Sequence, residues 1–470
     1  MPDRPNIILI YTDQQRYDTL GVNGNDLIQT PNIDAWAADG VHFTRNYVTT
    51  PICVCSRVAL FTGRYNHTNL SYFNGRPIFD RETDFATTLR NNGYRTALIG
   101  KDHCFGKQRL ETAFDHTYVA SHLGYDTPQT KAEKQVNQIR KPTMQMPFAD
   151  DPISPEKNVT ASLFDAAKTY VDDNASDPFF LWLSIPDPHP PFMVCEPYAS
   201  MYNDTAIPAP AWEEGETDNK PFRQRQVVEW NAYDREYPND DMDKLRRIYW
   251  GMVSYIDTEM GKLLDHLNST GMADNTIIIF TSDHGDYMGD HHMIRKGPHV
   301  YEALTHVSLI ASWPGHFPAK STNAMTANID IFPTLFDLLD LDMSNGVQGQ
   351  SFASVLTGES DHHRDCIFLE HGTPGPALQP GELSAERMEE LGEGTHHLCP
   401  EINKGRTKGV RSDRWKYVTT EGDVDELYDL DNDPHEIHNL ADNPEYQNIV
   451  NEHQRYLVNW LVETEDTLSN

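Results

Sequence analysis

The stretch TIIIFTSDHG, residues 276–285, opens with six residues that are apolar, β-branched or aromatic and closes on Asp-His-Gly. A run this short, bounded by a turn signal, reads as a strand buried on both faces. Three others share its character: NIILIYT (6–12), RTALIG (95–100) and FFLWLSI (179–185). Between them lie helix candidates at 30–38, 84–92, 159–171 and 241–267. The first begins Thr30-Pro31, a good cap and first-turn pair. Strands alternating with helices in this way predict an α/β fold with a large, mostly parallel mixed sheet sandwiched by helices.

After about residue 340 the pattern changes. CIFLEHG, KGVRSD, WKYVTT and DELYDL read as four short antiparallel strands, followed by a closing helix over 444–463. We therefore expect a catalytic domain over 1–360 and a smaller C-terminal α+β domain over 361–470. Three stretches rich in Pro, Gly and charge, 120–155, 196–238 and 373–406, read as long loops. Loops of that length either shape a substrate pocket or decorate the surface. The last of them carries His396 and His397.

The chain has 470 residues, enough for a large domain plus a smaller one. Its 71 acidic residues against 38 basic ones give a net charge of −33. That sign argues against nucleic acid or an anionic membrane as a partner, and an anionic substrate would need a local basic pocket. Six cysteines are too sparse for a disulfide scaffold, so reduced thiols are expected. No apolar run approaches the length of a membrane span and none resembles a signal peptide, so a cytoplasmic location is expected.

In a parallel sheet, ligands sit beyond the C-terminal ends of the strands. Asp13, Lys101, Asp187 and Asp283 all lie at or just past such ends. Asp13 and Asp283 with His284 are oxygen and nitrogen donors that suit a hard cation such as Ca2+ or Mg2+, with Mn2+ or Zn2+ left open by the imidazole. For Asp13 alone, the plainer reading is a helix cap. Lys101 and His103 alternate, so in an extended segment they share a face; the plainer reading is a solvated lysine and a satisfied histidine. His189 stands in the proline-stiffened loop IPDPHPPF, and Lys296 stands beside a glycine in IRKGPHVYE. Each is an anion or proton handle, or a plain loop residue. Cys53 and Cys55, in PICVCSR, have no second cysteine cluster to make a zinc site. A helix reads from Ser56 onward, so Cys53 sits just ahead of its N-terminus, where a thiol's pKa falls. Arg57 lies one turn in.

These pieces together resemble the type I, formylglycine-dependent sulfatases of the alkaline-phosphatase superfamily. The family's nucleophile motif is C-x-P-x-R followed by a helix and TGR; Cys53, Arg57 and Thr62-Gly63-Arg64 match it. RPNIILIYTDQQRYD, TPNIDAWAADGVHFTRNY, GYRTALIGKDH, IPDPHPPF and SDHGDYMGDHHMIRKGPHVYE match further family motifs in order. RSDRWKYV and ELYDLDNDPHEIHNLA resemble the C-terminal signature, so the likeness runs nearly end to end. The resemblance implies an alkaline-phosphatase-like fold and a sulfatase acting on a sulfated carbohydrate or other small sulfate ester. Cys53 would be oxidised to formylglycine (3-oxoalanine) by a formylglycine-generating enzyme, and its hydrate would attack sulfur. Asp13, Gln14, Asp283 and His284 would bind Ca2+, with Mg2+ or Mn2+ as alternatives. Arg57 would stabilise the formylglycine, and Lys101 and Lys296 would bind sulfate oxygens. His189 would serve the leaving oxygen, and His103 would help break down the covalent adduct.

Two departures stand out. Cys55 replaces the motif proline, and three readings follow: a tolerant converting enzyme, an unconverted thiol in a binding-only protein, or modification of Cys55 itself. The first metal loop reads Asp13-Gln14 rather than a pair of acidic residues, a start shared with phosphonate monoester and phosphodiester hydrolases of the superfamily. Those hydrolases are the nearest rivals. Lys101 and His103 favour sulfate, because the rivals resemble one another in carrying uncharged hydroxyl residues there.

Overall fold

The computed structural model describes residues 4–126, 130–140, 148–150, 152–231, 242–382 and 402–465. The strands are β1 (Asn6–Asp13), β2 (Val41–Phe43), β3 (Arg95–Gly100), β4 (His116–Ser121), β5 (Gly124–Tyr125), β6 (Phe179–Pro188), β7 (Thr276–Ser282), β8 (Leu309–Ser312) and β9 (Lys320–Thr322), and the four apolar runs are β1, β3, β6 and β7. They make one sheet in the order β9-β2-β8-β7-β1-β6-β3-β4-β5. The central run β7-β1-β6-β3-β4 is parallel throughout, with β8 antiparallel to β7.

Side chains alternate across this sheet with the period of two that a strand imposes. Ile8, Ile10, Leu181, Leu183, Ile278 and Phe280 face one core. It is closed by α1 (Pro31–Ala38), α4 (Val159–Asp173) and the long α5 (Met242–Thr270). Ile7, Leu9, Tyr11, Phe180, Trp182, Ile277 and Ile279 face the other. That side is closed by α2 (Cys53–Thr62), α3 (Phe85–Asn91) and α6 (Ile331–Leu338). The expected sandwich is thus observed. Asp84 caps α3 by accepting from the Thr87 amide, and Asn158 caps α4 through the Thr160 amide.

The C-terminal sheet is antiparallel, in the order β10 (Ile367–His371), β11 (Thr407–Arg411), β12 (Trp415–Thr420) and β13 (Glu426–Asp429). The closing helix α7 (Gln447–Thr464) packs on it, with Trp460 stacked on Phe368 at 4.8 Å. Among the described residues no helix is long and apolar enough to cross a membrane. Among the described residues no cysteine forms a disulfide.

Three expectations need correction. The nucleophile helix starts at Cys53 itself, with Ile52 as its cap, rather than at Ser56. The stretch 120–155 is not simply a loop, because Lys131–Arg140 is helical and two short strands flank it. The stretch 196–238 contains the helix Phe222–Asn231. Much of the third stretch, including His396 and His397, lies outside the described residues.

Several histidines are folded into this frame uncharged. Burial lowers the pKa of His371 to about 3, with Arg223 adding to the effect. Burial lowers that of His306 to about 4 against the pull of Glu302. Such a group is neutral in the folded chain, while the unfolded chain protonates it below its ordinary value of 6.5. Each therefore favours folding above that pH and loses its contribution as the pH falls toward 4 and then 3, by about 1.4 kcal/mol per pH unit per group. Urea midpoints should drop between pH 6.5 and 4, and replacing both residues by glutamine should flatten that slope. An unchanged slope would show that other groups carry it.

Candidate active site

Because β7, β1, β6 and β3 are parallel neighbours, their C-terminal ends share one edge of the sheet. The register pairs Thr12 with Ser282 and Gly100 with Ser184. Asp13, Asp283 and Lys101 therefore emerge side by side. Gly100 holds φ +110°, and a Cβ there would stand 1.9 Å from the Ser184 carbonyl oxygen. Only glycine lets β3 approach β6 closely enough to deliver Lys101. From the other side of the edge, α2 points Cys53 and Arg57 inward; spaced by four, they lie on one face. All ten residues of α2 are buried, and Gly63 ends it at φ +62°.

Cys53 lies at the centre. Its Sγ is 3.2 Å from His284 Nε2, 3.2 Å from Lys296 Nζ and 3.8 Å from Asp13 Oδ1. Burial alone would push this thiol up; Lys296, Lys101 and His284 outweigh burial and hold it well below its usual pKa. Arg57 is fully buried. Its Nη2 donates to Asp13 Oδ2 at 2.8 Å, its Nε to Asp283 Oδ2 at 3.0 Å and its Nη1 to Ser184 Oγ at 2.8 Å. Tyr11 and Trp182 face the guanidinium at 5.1 and 5.7 Å. Lys101 Nζ donates to Asp13 Oδ2 at 2.6 Å.

The two carboxylates feel different surroundings. Burial and Cys53 act to raise the Asp13 pKa, but Lys101, His189 and Arg57 bring it well below the usual range. The Asp283 pKa is raised to about 6 by burial and by Asp13, against the pull of His284 and Arg57. His284 Nδ1 donates to the Gly285 carbonyl at 2.8 Å, so Nε2 is the nitrogen turned to Cys53; burial and Lys296 act to lower its pKa, but Asp283 and Cys53 raise it overall. His189 is arranged alike: Nδ1 donates to the Pro190 carbonyl at 2.7 Å, and Nε2 faces Asp13 Oδ1 at 4.0 Å. Burial, then Lys101, lowers its pKa to about 4. His103 is exposed, and it adds to the lowering of the Cys53 pKa.

Asp13, Cys53, Asp283 and His284 each offer one ligand atom, all within 4.8 Å of one another. Two carboxylates and an imidazole lone pair fit a divalent cation. Gln14, expected as a fourth ligand, is beside them with its Oε1 accepting from Lys296 Nζ at 2.7 Å. Its backbone N–H donates to Asp283 Oδ1 at 2.9 Å.

All the residues singled out in the sequence for this site therefore meet there, apart from Asp187, whose Oδ2 accepts from Thr160 Oγ1 at 2.6 Å. Cys55 is fully buried, which raises its pKa, and it is not part of the ligand cluster. Sequence reasoning missed Asp286, whose Oδ1 accepts from the amides of Met288 and Arg295 at 2.8 Å and whose Oδ2 accepts from Gln14 Nε2. It gathers the loop that carries Lys296; its signal was the acid-rich run SDHGDYMGD. Sequence reasoning also missed His122, whose ring stacks on His189.

A separate cavity of about 250 Å3 opens between the chain before α2 and the C-terminal sheet, with Thr50, Asn66, Tyr72, His371 and Arg406 among its lining residues.

Residues 5–341 match the Sulfatase family model, and residues 398–463 match the model described as N-sulphoglucosamine sulphohydrolase, C-terminal. An arylsulfatase of Clostridium perfringens is 28% identical, covering 97% of this chain and 94% of its own. An N-acetylglucosamine-6-O-sulfatase of Bacteroides thetaiotaomicron is 26% identical over 98% of this chain and 86% of its own. The crystal structure of a phosphonate monoester hydrolase of Agrobacterium radiobacter superposes with a TM-score of 0.80 at 27% identity, covering 98% of this chain and 96% of that one.

Proposed function

The chain belongs to the sulfatase family, and on that premise we propose that it hydrolyses the sulfate ester of a sulfated carbohydrate at the Cys53 cluster. The observation that carries this reading is the buried Cys53 thiol at the sheet edge, with Lys296 Nζ and His284 Nε2 each 3.2 Å from it and Lys101 bonded to the neighbouring Asp13. Oxidised to formylglycine, position 53 supplies a hydrated aldehyde as nucleophile, and a divalent cation, Ca2+ in this reading, supplies positive charge beside it. Asp13, Asp283 and His284 would hold that cation, with Gln14 next to them.

The chain's own residues do the rest. Lys101 and Lys296 offset the charge of the sulfate oxygens in a protein whose net charge of −33 would otherwise repel them. Arg57 locks Asp13 and Asp283 against the first two turns of α2. His189 presents Nε2 to the leaving oxygen; an arriving sulfate raises its proton affinity, and the Pro190 carbonyl keeps Nδ1 protonated.

A phosphonate monoester is the second reading, favoured by the superposition at a TM-score of 0.80. One experiment separates the two. Protein made with a formylglycine-generating enzyme is digested, and the tryptic peptide 46–57 is weighed for an aldehyde at Cys53. The same preparation is then assayed on 4-nitrophenyl sulfate and on a 4-nitrophenyl phosphonate. Sulfate should be preferred by at least about tenfold in kcat/KM, because Lys101 and His103 stand at the thiol. Preference for the phosphonate would replace the first reading with the second.

A further inference from the structure

We propose that His122 is the positioning residue of His189, an inference that rests on the proposed role of His189 at the leaving oxygen. The imidazoles of His122 and His189 lie face to face, ring centroids 4.4 Å apart and planes 28° from parallel. The topology brings them together. Gly100 pairs with Val119 across β3 and β4, so the residues just past β4 emerge on the same sheet edge as Lys101. His122 follows Ser121 there, in the turn between β4 and β5.

His189 needs such a neighbour. Its Nδ1 is tied to the carbonyl of the next residue, Pro190, a single bond about which the ring can still swing. A flat group against its face sets the plane in which Nε2 meets the substrate. Hydrogen bonding does not explain a histidine at 122: its Nδ1 is buried with no hydrogen-bond partner among the described residues. Burying such a group unpaired costs about 1–3 kcal/mol. Burial, then His189 and Lys101, holds His122 uncharged, so the stack does not repel. Reach is sensitive: a misplacement of about 1 Å can cost on the order of a hundredfold in rate.

The test uses converted, full-length protein in three forms, wild type, His122→Ala and His122→Phe, on two substrates. Phenyl sulfate has a poor leaving group that needs the proton; 4-nitrophenyl sulfate has a good one that needs it less. His122→Ala should lower kcat on phenyl sulfate by about 10–100-fold and on 4-nitrophenyl sulfate by less than about threefold, with KM little changed. His122→Phe keeps a flat face without the nitrogens and should restore most of the loss. Equal losses on both substrates, no loss in the alanine variant, or no rescue by phenylalanine would each overturn the inference. His189→Ala is the control for the underlying reading: if it loses equally on both substrates, His189 does not serve the leaving oxygen. A crystal structure of His122→Ala tests the stack without turnover. The His189 ring should be turned or doubled, and a ring still in the wild-type plane would refute the positioning role.

Discussion

Cys53→Ala should leave a folded protein whose release of sulfate is lower by roughly a million-fold, the scale on which removal of a covalent nucleophile acts. The thiol is 1% exposed and sits where Lys296, His284 and Asp13 converge. Removing Sγ deletes one atom from a helix whose hydrophobic residues stay in place, so the thermal midpoint should move by no more than about 1 kcal/mol of stability warrants. Lys296 keeps its bond to Gln14 Oε1, so no ammonium is stranded. Paired measurements of turnover and melting check this. An active, stable Cys53→Ala protein would place the nucleophile elsewhere. An unfolded one would show that the thiol has a structural role the packing does not reveal.

Arg57→Ala should act chiefly on folding, costing about 3–5 kcal/mol, the range for removing one partner of a buried ion pair. Its guanidinium is the shared counter-ion of Asp13 and Asp283, all three with side chains fully out of solvent. Even with Arg57 present, burial and Asp13 raise the Asp283 pKa to about 6. Without it, two buried carboxylates would face each other with Lys101 as the remaining ammonium bonded to Asp13. The predicted signature is a loss measured in urea that added Ca2+ or Mg2+ partly restores, since a cation bound to the same carboxylates favours the folded state by mass action. A loss below about 1 kcal/mol, or one blind to divalent cations, would show that the carboxylates do not depend on this arginine.

What the sequence revealed follows from where chemistry meets regular structure. Asp13, Lys101, His189 and Asp283 each close or follow an apolar run, and a parallel sheet must bring such ends together. Cys53 and Arg57 were legible through the motif they match, although the sequence began the helix at Ser56 and the structure begins it at Cys53, which puts both on one face. His122 was not, because its partner lies across two strands and its own segment, VASHLGYD, carries no special pattern. The helices Lys131–Arg140 and Phe222–Asn231 were hidden by charge. Arg223 looks like a surface residue in KPFRQRQ, yet it is buried and donates to the carbonyls of Lys404, Gly405 and Pro298. Such a tie between distant segments leaves no local trace.

The burial of α2 also sets an order of events in the life of the molecule. The Cys53 thiol lies at the first turn of a helix with all ten residues buried, beneath loops from four strands. Under the proposed function a converting enzyme would have to reach that thiol, which the folded chain keeps 1% exposed. Conversion would then belong to the interval between synthesis and folding. The active fraction of a preparation would record a race, set by the supply of that enzyme against the speed of folding.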